Sequence, residues 1–92
     1  MAKLLDKEQI AVHLSGLKDW KHAGLTIAKA FEFKDFVQAM GFVNSVAMLA
    51  EKKNHHPDID IRWNKVALTL STHSAGGLTE LDFNLAKAID DL

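Results

Sequence analysis

The chain has 92 residues, no cysteine and a formal net charge of −1 at pH 7. A hydrophobic share of 48% beside 25% charged residues is typical of one globular domain, here residues 1–92. The near-neutral charge gives no electrostatic basis for direct binding of nucleic acid, and the missing cysteines exclude disulfides, thiolate nucleophiles and cysteine zinc sites. The longest apolar run, 46–50, is too short for a membrane span or signal peptide, so we expect a cytoplasmic protein that does not bind membranes.

The first third of the chain predicts a helix followed by a β-hairpin. Asp6, with Gln9 three residues later, forms a capping box that begins the helix, and Gly16 ends it. Apolar and polar residues then alternate over 25–33, which predicts a half-buried strand. Residues 20–23 are its expected partner across a short turn.

The second helix is apolar over an unusually large part of its circumference. It begins at Asp35, and one broad face carries Phe42 and Leu49 among other apolar residues. Val37 and Met48 lie on the far side. One side of the helix can cover a sheet, while the other is available to a second subunit. We therefore expect a homodimer or homotetramer.

The segment after Pro57 predicts a second hairpin, because proline ends the helical region and alternation of apolar and polar residues resumes. With a two-residue turn at 64–65, Ile61 faces Leu68, so the apolar residues of both strands share one face. Trp63 is then expected to anchor the core.

The last helix begins at Thr79, with Asp82 at the capping-box position. The elements follow the order α-β-β-α-β-β-α. This order predicts an α+β domain in which a four-stranded antiparallel sheet is covered on one face by helices.

Three of the five histidines lie between residues 55 and 73. The predicted hairpin places His56 opposite His73, with Cβ atoms about 5 Å apart. The carboxyl end of the second helix and Glu51 both favour a protonated His55. Imidazoles in different electrostatic surroundings can hold different protonation states at one pH, which suits paired acid and base catalysis.

Two other interpretations of these histidines stay open. They could be unrelated surface residues, or they could bind a metal. Adjacent histidines rarely direct both rings at one ion, and the chain has no His-x-His or His-x-x-x-His spacing, so we predict no metal.

The spacing Glu51-x3-His55-His56-Pro57-x5-Trp63-x9-His73-x8-Asp82 resembles the signature of pterin-4a-carbinolamine dehydratases. The resemblance extends from about residue 20 to the C-terminus and includes the runs 31–36 and 70–73. It implies an enzyme that dehydrates 4a-hydroxytetrahydropterin to quinonoid dihydropterin, downstream of an aromatic amino acid hydroxylase and without metal or bound cofactor.

The resemblance also implies roles for individual residues. The catalytic set would be His55, His56 and His73; the residues that bind substrate or support the site would be Glu51, Pro57, Trp63 and Asp82. Our hypothesis makes His55 the base, His73 the acid and His56 the residue that positions the hydroxyl. Many relatives have an acidic residue where this chain has Asn54, so its rate is expected to differ.

A second class of function follows from the same resemblance. Some relatives stabilise dimers of a homeodomain transcription factor, and others have assembly roles, including roles in carbon-fixation complexes. The broad apolar second helix could bind a foreign helix as readily as its own copy. The complete histidine set favours catalysis, because an interaction module does not need it.

Overall fold

The computed structural model describes residues 2–92. Its elements are α1 (Lys7–Ser15), β1 (Lys21–Ala23), β2 (Thr26–Glu32), α2 (Phe36–Lys53), β3 (Asp58–Arg62), β4 (Lys65–Leu70), a 3₁₀ turn (His73–Ala75) and α3 (Glu80–Asp90). The α+β class and the order of helices and strands are confirmed, and the 3₁₀ turn is an addition. Within the described residues, no helix has the length and apolarity needed to cross a bilayer.

The four strands form one antiparallel sheet in the order β1-β2-β4-β3. The central strand β4 alternates between core and open face: Val66, Leu68 and Leu70 are fully buried, whereas Ala67 and Thr69 are partly exposed. Strands β1 and β3 are the edges, and every residue of β3 is exposed. The core therefore lies between the middle of the sheet and the helices.

Helix α2 covers the sheet with small side chains and leaves its far side exposed. Ala39, Val46 and Ala50 are buried in it. The exposed fractions of Val37 and Met48 are 78% and 73%, which confirms that these two residues lie on the far side. The broad apolar helix thus has an outer surface that the rest of the chain does not cover.

The first and the last α-helix each begin with a capping box. Asp6 and Gln9 form the predicted capping box on α1, and Thr79 and Asp82 form one on α3. Such caps satisfy backbone N–H groups that have no partner inside the helix. The predicted helix starts are therefore correct at both places.

The predicted register of the second hairpin is wrong by two residues. The turn is Trp63-Asn64 rather than 64–65, and Ile61 pairs with Val66 rather than Leu68. The displacement preserves the alternation of faces, so the apolar residues still share one side. However, the β3–β4 ladder ends at the pair of Asp58 and Thr69, and His56 does not lie opposite His73.

Tertiary hydrogen bonds explain the displaced turn. Asn64 is buried, its side-chain Nδ2 donates to the backbone carbonyl oxygen of Phe33 at 2.8 Å, and its backbone carbonyl oxygen accepts from the Phe33 N–H at 2.8 Å. These bonds fix Asn64 against the β2–α2 connection. Trp63 therefore takes a left-handed conformation with φ of 54°, which is unusual for a bulky residue. It is 68% exposed, so the expectation that it anchors the core is wrong.

Candidate active site

The three clustered histidines line one open cleft of about 300 Å³, at the edge where β3 begins and β4 ends. The residues around it are Asn54, His55, His56, Ser71, Thr72, His73, Ser74 and Leu81. The structure thus brings His55, His56 and His73 together. The end of α2 and the 3₁₀ turn achieve this, instead of the predicted strand pairing.

Asn54 ends α2 and sets the direction of the histidine pair. It has φ of 50° and ψ of 43°, the left-handed conformation typical of a helix C-cap. Its backbone N–H donates to the carbonyl oxygens of Ala50 and Glu51. Asparagine adopts this conformation at lower cost than most residues. The position before the histidine pair therefore has a residue suited to reversing the backbone.

His55 is held by a buried carboxylate. Its Nε2 lies 2.6 Å from Oδ1 of Asp82, and the two side chains are 10% and 0% exposed. An ionised carboxylate only accepts hydrogen bonds, so Nε2 carries the hydrogen and donates it. The neutral ring then has its lone pair on Nδ1, and this nitrogen is the one able to accept a proton.

His56 has a different partner and a different environment. Its Nε2 lies 2.6 Å from Oε1 of Glu51, and the side chains are 54% and 79% exposed. Glu51 therefore pairs with His56, whereas the sequence pattern predicts that it acts on His55. The two adjacent imidazoles do have distinct surroundings, one buried and one in water.

Asp82 is anchored on its second oxygen as well. Oδ2 accepts from the backbone N–H of Thr79 at 2.9 Å and from Oγ1 of Thr72 at 2.8 Å. Asp82 therefore completes the capping box of α3 and holds His55 at the same time. Sequence reasoning treated Thr79 only as a helix cap and missed Thr72, although its position directly before His73 was a usable signal.

His73 is the first residue of the 3₁₀ turn, and its side chain is exposed. A backbone bridge between Thr72 and Gly77 closes this loop, and Gly76 takes φ of 78° within it. The loop therefore places His73 in the lining of the cleft, together with the residues at the end of α2.

Of the residues predicted to support the site, Pro57 lies beside the cleft and Trp63 does not. Pro57 directly follows the histidine pair and is partly buried, next to the cleft. Trp63 lies at the other end of β3, a strand of five residues, which corresponds to roughly 16 Å at ~3.3 Å per residue. A single copy of the chain therefore does not bring Trp63 to the histidines.

Metal ligation has no geometric support in the described part of the chain. Among residues 2–92, no group of three or more histidine, cysteine, aspartate or glutamate side chains is placed to hold a metal ion. The Nε2 atoms of His55 and His56 bind separate carboxylates and so do not converge on one point. The arrangement is suited to moving protons.

A larger hollow of about 540 Å³ shares Leu81 with the cleft and lies between the N-terminal segment and the start of α3. Its lining includes Lys3 and Glu80 but no histidine. The histidine cleft is therefore the better candidate for acid and base chemistry, despite its smaller volume.

Comparison with sequence relatives gives a consistent family. The family model described as pterin 4 alpha carbinolamine dehydratase matches residues 3–92. A protein of Roseiflexus castenholzii is 52% identical over 100% of this chain and 99% of its own length. One of Acidobacterium capsulatum is 55% identical with the same coverage. Both names assign these proteins provisionally to pterin-4-alpha-carbinolamine dehydratase.

Comparison with solved structures indicates the same family as the sequence relatives. A transcriptional coactivator/pterin dehydratase from Brucella melitensis superposes with a TM-score of 0.91 at 37% identity, covering 95% of each chain. A pterin dehydratase-like protein described as a RuBisCO assembly factor in the alpha-carboxysome gives a TM-score of 0.68 at 26% identity, covering 80% of this chain and 88% of its own. The resemblance inferred from the histidine spacing is thereby confirmed, and the chain belongs to the pterin 4 alpha carbinolamine dehydratase family.

Proposed function

We propose that this protein is a lyase that dehydrates 4a-hydroxytetrahydropterin to quinonoid dihydropterin in tetrahydropterin recycling. The observation that carries the proposal is the bond between His55 Nε2 and the buried Asp82. It leaves Nδ1 of a cleft-lining histidine as the proton acceptor, with His56 and His73 in the same cleft.

The reaction needs one acid and one base. The bond from C4a to the hydroxyl oxygen breaks, the hydroxyl leaves as water after gaining a proton, and a ring nitrogen of the pterin loses a proton. In our proposal His55 accepts the ring proton, His73 protonates the leaving hydroxyl and His56 positions that hydroxyl. Each proton transfer of this kind typically contributes ~10²–10⁴-fold. Glu51 orients His56, and Pro57 fixes the chain beside the pair.

The test is a coupled assay in which an aromatic amino acid hydroxylase generates the 4a-hydroxypterin. We expect the protein to accelerate loss of this intermediate, and His55→Ala to remove ~10²-fold or more of the acceleration. His22→Ala is the matched control, because that ring is exposed and bonds the carbonyl oxygen of Gly24 outside the cleft. A folded protein that gives only the spontaneous rate would refute the enzyme assignment.

A protein-interaction module is the second candidate, whether as a dimerisation partner, a transcriptional coactivator or an assembly factor. Its support is the exposed outer side of α2 and the coactivator and assembly-factor descriptions of the two structural relatives. One variant separates the two candidates: a binding role should survive His73→Ala unchanged, because His73 is exposed, whereas dehydratase activity should not.

We further propose that the protein forms a homodimer or homotetramer through α2, β3 or both. The edge strand β3 has backbone groups that can pair with a second copy. An antiparallel register centred on Ile61 would set Asp60 opposite Arg62 of the second copy and Ile59 opposite Trp63 of the second copy. This pairing would cover Ile59, Ile61 and Trp63, which are 37%, 36% and 68% exposed.

The α2 surface gives the sharper test of assembly. Met48→Glu adds a charge to a side chain that is 73% exposed, so it should split an α2-mediated oligomer and leave each copy folded. Phe42 and Leu49 are unsuitable, because they pack against the core. Ala11→Glu, on the exposed surface of α1, is the control. Light scattering that reports the unmodified protein near its 10.2 kDa chain mass would refute the proposal.

The remaining assignments belong to the same proposal. The partners would be the pterin substrate and, in the same pathway, an aromatic amino acid hydroxylase. The location would be the cytoplasm, with no direct contact to nucleic acid or membrane. The formal net charge of −1 supports the absence of a nucleic-acid partner.

A further inference from the structure

Two buried hydroxyl groups are connected in series by hydrogen bonds to the carboxylate of Asp82. Oγ1 of Thr79 lies 2.8 Å from Oγ1 of Thr72, which lies 2.8 Å from Oδ2 of Asp82. Thr72 is 4% exposed, and Thr79 and Asp82 are 0% exposed. The helix cap explains the position of Thr79, but it does not explain why a second buried hydroxyl connects the cap to the carboxylate.

The direction of each hydrogen bond in this series of hydroxyl groups follows from counting the available hydrogens. A hydroxyl has one hydrogen, and an ionised carboxylate has none to give. Thr72 must therefore donate to Asp82 and can only accept from Thr79. Thr79 in turn donates to Thr72 and accepts from the backbone N–H of Leu81 at 3.2 Å. All the donors thus point along one path toward the carboxylate.

The other face of the carboxylate receives the imidazole. With Oδ2 occupied by Thr72 and the N–H of Thr79, Asp82 is fixed in rotation, and Oδ1 is directed at Nε2 of His55. We propose that Thr72 and Thr79 are positioning residues that act through Asp82 to hold His55 in the tautomer with hydrogen on Nε2. This places the accepting lone pair on Nδ1. The inference rests on the proposed function for its kinetic consequence but not for its structural one.

A purely structural role for the threonines makes a different prediction. It would affect stability while leaving the tautomer of His55 as it is. Thr72 directly precedes the 3₁₀ turn, but its side chain makes no capping hydrogen bond there, and α3 is capped by Thr79, so replacing Thr72 does not remove a side-chain helix cap. Thr72→Val keeps the shape of the side chain and removes the hydroxyl, whereas Thr72→Ser keeps the hydroxyl. Thr26→Val is the matched control, because its Oγ1 donates to the carbonyl oxygen of Ala23, outside the cleft.

The experiment measures the ring-nitrogen shifts of His55 by NMR on ¹⁵N-histidine-labelled full-length protein, together with kcat and KM. Thr72→Val leaves Oδ2 of Asp82 with the backbone N–H of Thr79 as its remaining donor, so the carboxylate can rotate away from Nε2 of His55. We therefore expect the single tautomer of His55 to become a mixture and kcat to fall about 10- to 100-fold, the range for one lost hydrogen bond to a charged group. KM should change less than about twofold, because no substrate contact is removed. Thr72→Ser should restore the nitrogen shifts and kcat, and Thr26→Val should alter neither. If valine prevents folding, Thr72→Ala removes the same hydroxyl and should give the same mixture.

Unchanged nitrogen shifts in a folded Thr72→Val or Thr72→Ala protein would overturn the inference, whatever happens to kcat. Absence of dehydratase activity in the unmodified protein would instead refute the proposed function, and the nitrogen shifts would still decide the role of the threonines. The two failures are therefore distinguishable.

Discussion

Two adjacent histidines make carboxylate contacts of the same length with different meanings. His55 to Asp82 and His56 to Glu51 are both 2.6 Å, but the first pair is 10% and 0% exposed and the second 54% and 79%. A buried pair is expensive to break, because removing one partner leaves the other without its bond in a low dielectric. An exposed pair is screened by water and contributes little. Burial therefore decides what each contact does, and distance alone does not.

The largest expected effect comes from removing the buried carboxylate. Asp82→Ala leaves His55, Thr72 and the Thr79 N–H without their acceptor, so we expect the free energy of unfolding to fall by about 3–5 kcal/mol. Glu51→Ala is the matched control and should cost less than about 1 kcal/mol. Urea denaturation followed by circular dichroism measures both. Equal losses would show that burial does not separate the two pairs.

The second effect separates catalysis from stability. His73 is exposed, so His73→Ala should lower turnover ~10²-fold or more while the unfolding midpoint stays close to that of the unmodified protein. His55→Ala should lower both turnover and the unfolding midpoint, because the His55 side chain is only 10% exposed and bonds the buried Asp82.

The double variant tests whether these two imidazoles act as a unit. If they do, His55→Ala combined with His73→Ala should lose much less turnover than the product of the single losses. Steady-state rates of the three variants in the coupled assay give the comparison. Near-native turnover in the double variant would show that neither imidazole takes part.

Local sequence patterns were enough for the element order and the helix starts. Capping boxes and the alternation of apolar residues depend on neighbours a few positions away, and these neighbours are visible in the sequence. The hairpin register could not be predicted from such local patterns, because Asn64 is fixed by hydrogen bonds to Phe33, 31 residues earlier in the chain. The same limit applies to the cleft. Its histidines were identified, but the pairing of His55 with Asp82 spans 27 residues and could not be derived from spacing.

The third effect is smaller and concerns the exposed pair. Glu51→Gln removes the charge beside His56 but keeps a hydrogen-bonding side chain of the same size. Because His56 is proposed to position the substrate hydroxyl, we expect KM to rise by a few-fold with kcat little changed. Added salt should weaken the exposed contact of Glu51 with His56 in the unmodified protein and leave the buried contact of Asp82 with His55 unaffected. Initial rates at several salt concentrations test this, and a kcat loss as large as that of His73→Ala would contradict it.

Removal of metal ions is expected to have no effect on turnover, which makes it the smallest of the expected effects. A histidine that binds a metal must offer a lone pair to it, yet Nε2 of His55 and Nε2 of His56 are each directed at a carboxylate oxygen 2.6 Å away. These two atoms would have to leave their partners before they could share an ion. We therefore expect dialysis against a strong chelator to leave turnover unchanged, and elemental analysis to find no stoichiometric zinc or iron. The Asp82→Ala variant sharpens the test, because it releases Nε2 of His55. Stoichiometric metal in the unmodified protein, with activity lost on its removal and restored on its return, would show that both carboxylate pairs describe an apo state of a metal site.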